Sequence, residues 1–287
     1  MVRISVIACA YLTSLALAQN DNSSSFEGCP VSIRNIAEDR RTYNSTGTIP
    51  VEFTGQDAPW QISVAITDTR APNLRFGSWG SNQDFNVYLS VPEALVGSSQ
   101  GNETFVCLYM MWGLNETSSN STNAENSCNG VLSDECIEEF RNAPLFPRDR
   151  CPEVSVSEEC GQQSVIRQSI PRCTLDELPD IDQPDDYKTY GGFPGGSLLP
   201  ADNELESFDV YDLRVRQSVP MLFTVRSGNS REAKIVCLAP DNVLDGRRVP
   251  ESEFPPSGAM SIRGGGFGNG ALLTSFVGAA LMVNGFL

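Results

Sequence analysis

A chain of 287 residues with 36 acidic and 20 basic side chains is strongly acidic, and it contains no histidine. Without histidine there is no Ser-His-Asp or Cys-His triad, no His-ligated zinc and no histidine-brace copper site. Chemistry that needs only carboxylates survives that absence, and the acidic excess disfavours nucleic acid and anionic lipid heads as partners.

Residues 1–18 open with Arg3, continue through an apolar stretch over 4–17 and end on Ala16-Leu17-Ala18. This is the basic, apolar and small-residue order of a secretory signal, so the mature chain is expected to begin near Gln19. Cys9 leaves with the signal. The remaining cysteines, Cys29, Cys107, Cys128, Cys136, Cys151, Cys160, Cys173 and Cys237, form an even set, which in an oxidising compartment predicts disulfides. Five of them lie between Cys128 and Cys173. If all eight pair internally, at least one bond ties that cluster to Cys29, Cys107 or Cys237; the connectivity itself is open.

Asn-x-Ser/Thr sequons stand at Asn22, Asn44, Asn102, Asn115 and Asn120, none with proline in the middle. In a secreted chain each is a candidate N-glycosylation site on an exposed loop.

Strict alternation marks half-buried strands at Ile49, Val51 and Phe53, at Ile62, Val64 and Ile66, and at Phe85, Val87, Leu89 and Val91. Residues 105–112 are apolar on both faces, which predicts a central strand with Cys107 inside the sheet. Alternation returns at Tyr211, Leu213 and Val215, at Val219, Met221, Phe223 and Val225, and around Cys237. Ser227-Gly228-Asn229 is a hairpin signal between the last two. About seven strands predict a mainly β fold, an antiparallel β-sandwich of Ig-like or related type spanning 19–256. A disulfide-rich, partly helical insertion is expected at about 115–206. Within it, Ser133 is placed to cap a short helix with Asp134 and Glu135 in its first turn, Cys136, Ile137 and Phe140 on its apolar face and Arg141 at its end. The tripeptide Val-Cys-Leu occurs twice, at 106–108 and 236–238.

Asp176, Glu177, Asp180, Asp182, Asp185 and Asp186, followed by Asp202, Glu204 and Glu206, form the richest acidic stretch. It lacks the glycine and terminal glutamate of a calcium-binding loop, so a solvated loop is expected, with no metal and no catalytic residue assigned. The glycine run over 191–196 lacks the lysine and helix of a phosphate loop, and no cofactor is expected. Of Trp60, Trp79 and Trp112, Trp79 stands beside Gly80 in a polar setting and is the candidate for stacking on a glycan. The other two are read as core.

At the far end Ser257-Gly258-Ala259 precedes a glycine-rich spacer and an uncharged apolar tail over 271–287. Small residues, spacer and tail are the layout of a glycosylphosphatidylinositol (GPI) attachment signal over 257–287, with Ser257 as the expected junction and Gly264 or Gly265 as alternatives. A retained transmembrane helix would need a longer apolar run and a basic flank. Loss of Arg3 and Arg263 with the two signals leaves 18 basic against 36 acidic residues.

The runs Phe105-Val106-Cys107-Leu108-Tyr109-Met110, Cys128-Asn129-Gly130-Val131-Leu132-Ser133-Asp134-Glu135-Cys136, Tyr187-Lys188-Thr189-Tyr190-Gly191, Tyr211-Asp212-Leu213-Arg214-Val215 and Ile235-Val236-Cys237-Leu238-Ala239-Pro240-Asp241 resemble those of uncharacterised secreted proteins of filamentous fungi. The resemblance implies a GPI-anchored surface glycoprotein without an assigned activity. The expectation is a non-enzymatic domain at the outer plasma membrane or cell wall, acting in wall organisation, adhesion or glycan contact. Its partners would be the membrane, through the lipid, and a wall polysaccharide or a surface protein. The alternatives are a carboxylate-dependent polysaccharide hydrolase or transferase and an accessory subunit of a surface receptor or transport complex.

Overall fold

The structure is a computed structural model that describes residues 29, 31–37, 42–75, 79–112, 123–142, 150–153, 160, 164–169, 173–191, 196–197 and 205–251. The signal and anchor segments, and with them Asn22, Asn115, Asn120 and Ser257, lie outside the described residues.

The chain is mainly β, with antiparallel sheets. One sheet is built from β1 (Ser45–Val51), β2 (Trp60–Arg75), β3 (Trp79–Pro92), β6 (Thr174–Leu175), β7 (Tyr187–Gly191), β8 (Gly196–Ser197) and β11 (Asn242–Val243). Its order is β11-β1-β2-β3-β7-β6, with β8 also on β3. The other is built from β4 (Thr104–Trp112), β5 (Ser164–Ser169), β9 (Val219–Ser227) and β10 (Ser230–Leu238), in the order β10-β9-β4-β5.

Alternation builds the shared core. Ile62, Val64 and Ile66 of β2 and Phe85, Val87, Leu89 and Val91 of β3 join Val106, Leu108 and Met110 of β4 and Val219, Met221, Phe223 and Val225 of β9 in one buried cluster. Each such side chain contributes about 1.5–3 kcal/mol of transfer free energy. The expected central strand is β4, flanked by β9 and β5. The expected hairpin joins β9 to β10, with Ser227 opposite Ser230 and Gly228 at a φ of 57°. Glycine at the first central position meets the positive φ that such a two-residue turn requires.

The outward face of each sheet is also covered. On the second sheet, Cys107, Tyr109 and Met111 of β4, Leu222 of β9 and Ile235 and Cys237 of β10 pack against Cys136, Ile137 and Phe140 of α3 (Asp134–Arg141). The Ser133 Oγ accepts the Cys136 N–H at 3.1 Å, which makes the expected cap. On the first sheet, Tyr88 and Ala65 lie under Ile33 and Ile36 of α1 (Val31–Ala37) and under Leu175, Leu178 and Ile181.

Disulfides fasten both covers. Cys107–Cys151, Cys128–Cys237 and Cys136–Cys160 hold the α3 region on the second sheet, and Cys29–Cys173 joins the approach to α1 to the strand region beside β6. Three of the four bonds leave the cysteine cluster for Cys29, Cys107 or Cys237. The repeated Val-Cys-Leu step has a physical meaning: Val106, Leu108, Val236 and Leu238 meet the shared core, while Cys107 and Cys237 point outward to their bonds.

Two expectations are corrected. Tyr211, Leu213 and Val215 lie on a helix, α4 (Asp209–Arg216), and not on a strand. Asp209 and Asp212 in its first turn and Arg214 and Arg216 in its last complement the helix dipole. Because Asp212 and Arg214 are buried as well, polar residues alternate with apolar ones without marking a solvent face. The stretch expected as an insertion, about 115–206, supplies β5, β6, β7 and β8, which pair into both sheets. These four strands belong to the sheets, while α3 and its disulfides lie over the second sheet.

Candidate functional site

Among the described residues a connected polar cluster begins where β2 and β3 run past their apolar section. Asp68 stands opposite Gln83, and Arg70 opposite Ser81. Asp68 accepts the Arg70 Nε–H and a Gln83 amide hydrogen, each at 2.7 Å. The Asp68 backbone N–H donates to Asn44 Oδ1, also at 2.7 Å. Arg70 donates to the carbonyls of Leu205, at 2.9 Å, and Ser207, and its guanidinium lies 3.6 Å from the Phe208 ring centroid. A second guanidinium, from Arg248, lies 4.2 Å from the same centroid. Arg248 forks onto Asp212 of α4, and its carbonyl accepts the Tyr211 hydroxyl at 3.0 Å.

Burial pushes the Tyr211 phenol up to about 12, with the charges of Asp68 and Asp212 adding to the effect. A shifted phenol inside such a cluster invites a catalytic reading. Against it, Asp68 and Asp212 each hold an arginine and the Tyr211 hydroxyl is committed to a backbone carbonyl. The cluster's chemical work is to fix α4 and residues 248–251 on the first sheet.

Two clefts are the candidates for contact with a ligand. The first holds about 310 Å³ and lies where β3 and β4 approach, walled by Leu89, Val91, Phe105, Val106 and Tyr190. Trp60, 1% exposed, also lines it, and its indole N–H is buried without a hydrogen-bond partner. The loop leading into α2 (Ser99–Glu103) forms its rim. Gly97 turns there at a φ of 78°, Ser98 Oγ accepts the Gly101 N–H at 2.9 Å, and a Cβ on Gly101 would lie 1.9 Å from the Leu95 carbonyl oxygen. That close approach leaves room for glycine only, and the resulting loop sets Asn102 on the rim, exposed.

The second cleft holds about 450 Å³ and is bordered by Pro50, Glu52, Pro59, Glu125 and Lys234. Lys234 is held by Glu232 at 2.9 Å. Burial alone would raise the Glu232 carboxyl, but the Thr54 N–H and the Lys234 ammonium together keep it below its usual range. Glu52 and Glu125 are both exposed at the cleft.

The residues singled out from sequence are scattered over this frame. Trp79 opens β3 opposite Arg75, and its side chain lies outside the description, as does that of Trp112 at the end of β4. Trp60 is in the core and against Phe53, ring centroids 4.7 Å apart. In the acidic stretch, Asp176 pairs with Lys188 at 2.8 Å while Asp182, Asp185 and Asp186 are exposed. Among the described residues no three Cys, Asp or Glu side chains gather as metal ligands. Of the sequons, Asn44 is half-buried beside β1 and Asn102 is exposed. The Asp68–Arg70 and Asp212–Arg248 pairs escaped sequence reading. For the first pair the signal was charge at positions where the β2 alternation calls for a core residue; for the second there was none, since Asp212 falls on the polar half of an apparent alternation and Arg248 lies outside the strands.

Compared with models of protein families, with curated proteins and with solved structures, the chain has no significant match in any of the three.

Proposed function

We propose that the chain is a non-enzymatic, N-glycosylated surface protein, held on the outer plasma membrane or the cell wall by a GPI lipid at Ser257 and acting in wall organisation, adhesion or glycan contact. Its two sheets are the halves of an antiparallel β-sandwich of Ig-like or related type, a reading supported by the single cluster that draws residues from both. The observation that carries the proposal is the pairing of all eight remaining cysteines in four bonds that hold the outer covers down. Such bonds persist in oxidising surroundings and suit a domain exposed outside the cell. The commitment of Asp68, Asp212 and Tyr211 to internal partners supports a binding or structural role over catalysis.

Phosphatidylinositol-specific phospholipase should release the protein from intact cells, and a variant lacking residues 271–287 should reach the medium unanchored. Continued attachment of that variant would sink the anchor. A screen of the released protein on wall polysaccharides then tests glycan contact, with Trp79→Ala as the variant expected to weaken it.

The alternative is a carboxylate-dependent polysaccharide hydrolase or transferase. It is favoured by one observation, the presence of Glu52 and Glu125 on the same cleft. Release of reducing ends from a wall polysaccharide, abolished in Glu52→Gln or Glu125→Gln, would establish it in place of the binding reading.

A further inference from the structure

We infer that the cleft over Trp60 is the seat of the chain's own glycan: the proximal N-acetylglucosamine on Asn102 folds back onto the aromatic and aliphatic wall formed by Tyr190, Phe105, Leu95 and Val96. The inference rests on the reading of the chain as an N-glycosylated protein and names where one glycan goes.

Asn102 is itself a rim residue of the cleft and is exposed, so a sugar on its amide nitrogen starts at the edge of the space. The Asn102 amide lies 3.5 Å from the Gly97 carbonyl oxygen. Glycosylation at that nitrogen converts the amide from two N–H donors to one. The carrying loop is rigid: Ser98 caps α2, its hydroxyl donates to the Leu95 carbonyl at 2.7 Å, and Gly101 is jammed against the same carbonyl. A fixed attachment point keeps the first sugar close to the wall and reduces the entropy lost on packing. The wall has the chemistry a pyranose face recognises, a half-buried Tyr190 ring beside Phe105 and aliphatic side chains. The space of about 310 Å³ falls at the small end of ligand pockets, on the scale of one sugar unit and not of a polysaccharide chain. Trp60 adds a reporter, since its unpartnered indole N–H belongs to a side chain that lines the cleft.

The test uses the protein secreted by a glycosylating host. Mass spectrometry of the peptide holding Asn102 first measures occupancy; an empty Asn102 overturns the inference together with the glycosylation reading at that position. With Asn102 occupied, an endoglycosidase that leaves one N-acetylglucosamine should preserve the melting temperature. Complete enzymatic removal from the folded protein should lower it by about 3 °C. The Trp60 indole resonance, assigned with Trp60→Phe, should move only at complete removal, and Tyr190→Ala should erase the difference between the two treatments. Occupied Asn102 with neither a melting shift nor a moved Trp60 resonance would overturn the seating alone and leave the glycosylation reading standing.

Discussion

Arg248 meets Asp212 with both arms of its guanidinium, Nε on Oδ1 at 3.0 Å and Nη2 on Oδ2 at 2.7 Å. The Asp212 side chain is 6% exposed and that of Arg248 34%, so the pair spans the boundary between core and solvent. Removing Arg248 strands a buried carboxylate that keeps only the Glu251 N–H at 3.3 Å. Arg248→Ala should therefore cost about 2–3 kcal/mol, less than the loss of a wholly buried pair because water reaches the arginine. Adding Asp212→Asn should recover part of that loss by removing the stranded charge. Urea unfolding of the two variants measures both numbers, and an unchanged midpoint for Arg248→Ala would show that the fork holds nothing.

Beside that fork, Tyr211 makes stability depend on alkaline pH. Its phenol is raised from 10.0 to about 12 by burial first and by Asp68 and Asp212 next. Below pH 10 the phenol keeps its proton in both the folded and unfolded chain, and its contribution is fully present. Between 10 and 12 the unfolded chain ionises and the folded one does not, so stability falls by about 1.4 kcal/mol per pH unit. Tyr211→Phe should flatten this part of the profile, and absorbance at 295 nm should lose one late-titrating tyrosinate.

How much of this was legible in the sequence follows from what each side chain faces. Ile62, Val64 and Ile66 alternate because one face of β2 meets the shared core. Farther along, Asp68 and Arg70 occupy that same face as a paired charge, so the hydrophobic signal stops while the strand continues to Arg75. The register shift between Arg70 and Arg75, with Pro72 inside it, interrupts the pattern again. α4 reverses the problem: its buried Asp212 and Arg214 imitate the polar half of a strand. Ser133 was readable because a cap is local chemistry. The cleft was not, because Trp60, Tyr190 and Asn102 come together through the pairing of β2, β3 and β7 and the loop after β3, which no local pattern reports.

The disulfides should differ in what they protect. Cys128–Cys237 closes a separation of 109 residues and Cys136–Cys160 one of 24. By chain entropy the first is worth about 4–5 kcal/mol and the second about 3. Cys128→Ala with Cys237→Ala should accordingly lower stability more than Cys136→Ala with Cys160→Ala, as thermal unfolding at neutral pH would show. Cys29–Cys173 presents a different case, because α1 touches the first sheet through Ile33 and Ile36. Replacing both its cysteines with alanine should expose the residues before Tyr43 to limited proteolysis while the remaining fragment stays folded. Loss of the whole domain at the same protease concentration would place α1 inside the cooperative core.

Asn44 separates the structural use of a sequon asparagine from its use as a glycan carrier. Its side-chain oxygen accepts the Asp68 N–H at 2.7 Å, and its backbone binds Ile66 through N–H and Leu244 through C=O. Asp68 in turn orders Arg70, so the amide of Asn44 supports the cluster that seats α4. A glycan attaches at the nitrogen and leaves that oxygen as it is. Asn44→Gln moves the oxygen by one methylene and leaves a partly buried N–H unpaired, a loss of about 1 kcal/mol whether or not sugar is present. Thr46, the third residue of the sequon, is 2% exposed, so the fold hides part of the motif that directs glycosylation. Sugar at Asn44 is therefore expected to be added before folding closes over Thr46. Unfolding of wild-type and Asn44→Gln proteins, both made without glycans, isolates the hydrogen bond. Equal midpoints there, with a difference only in the glycosylated pair, would assign the effect to the sugar.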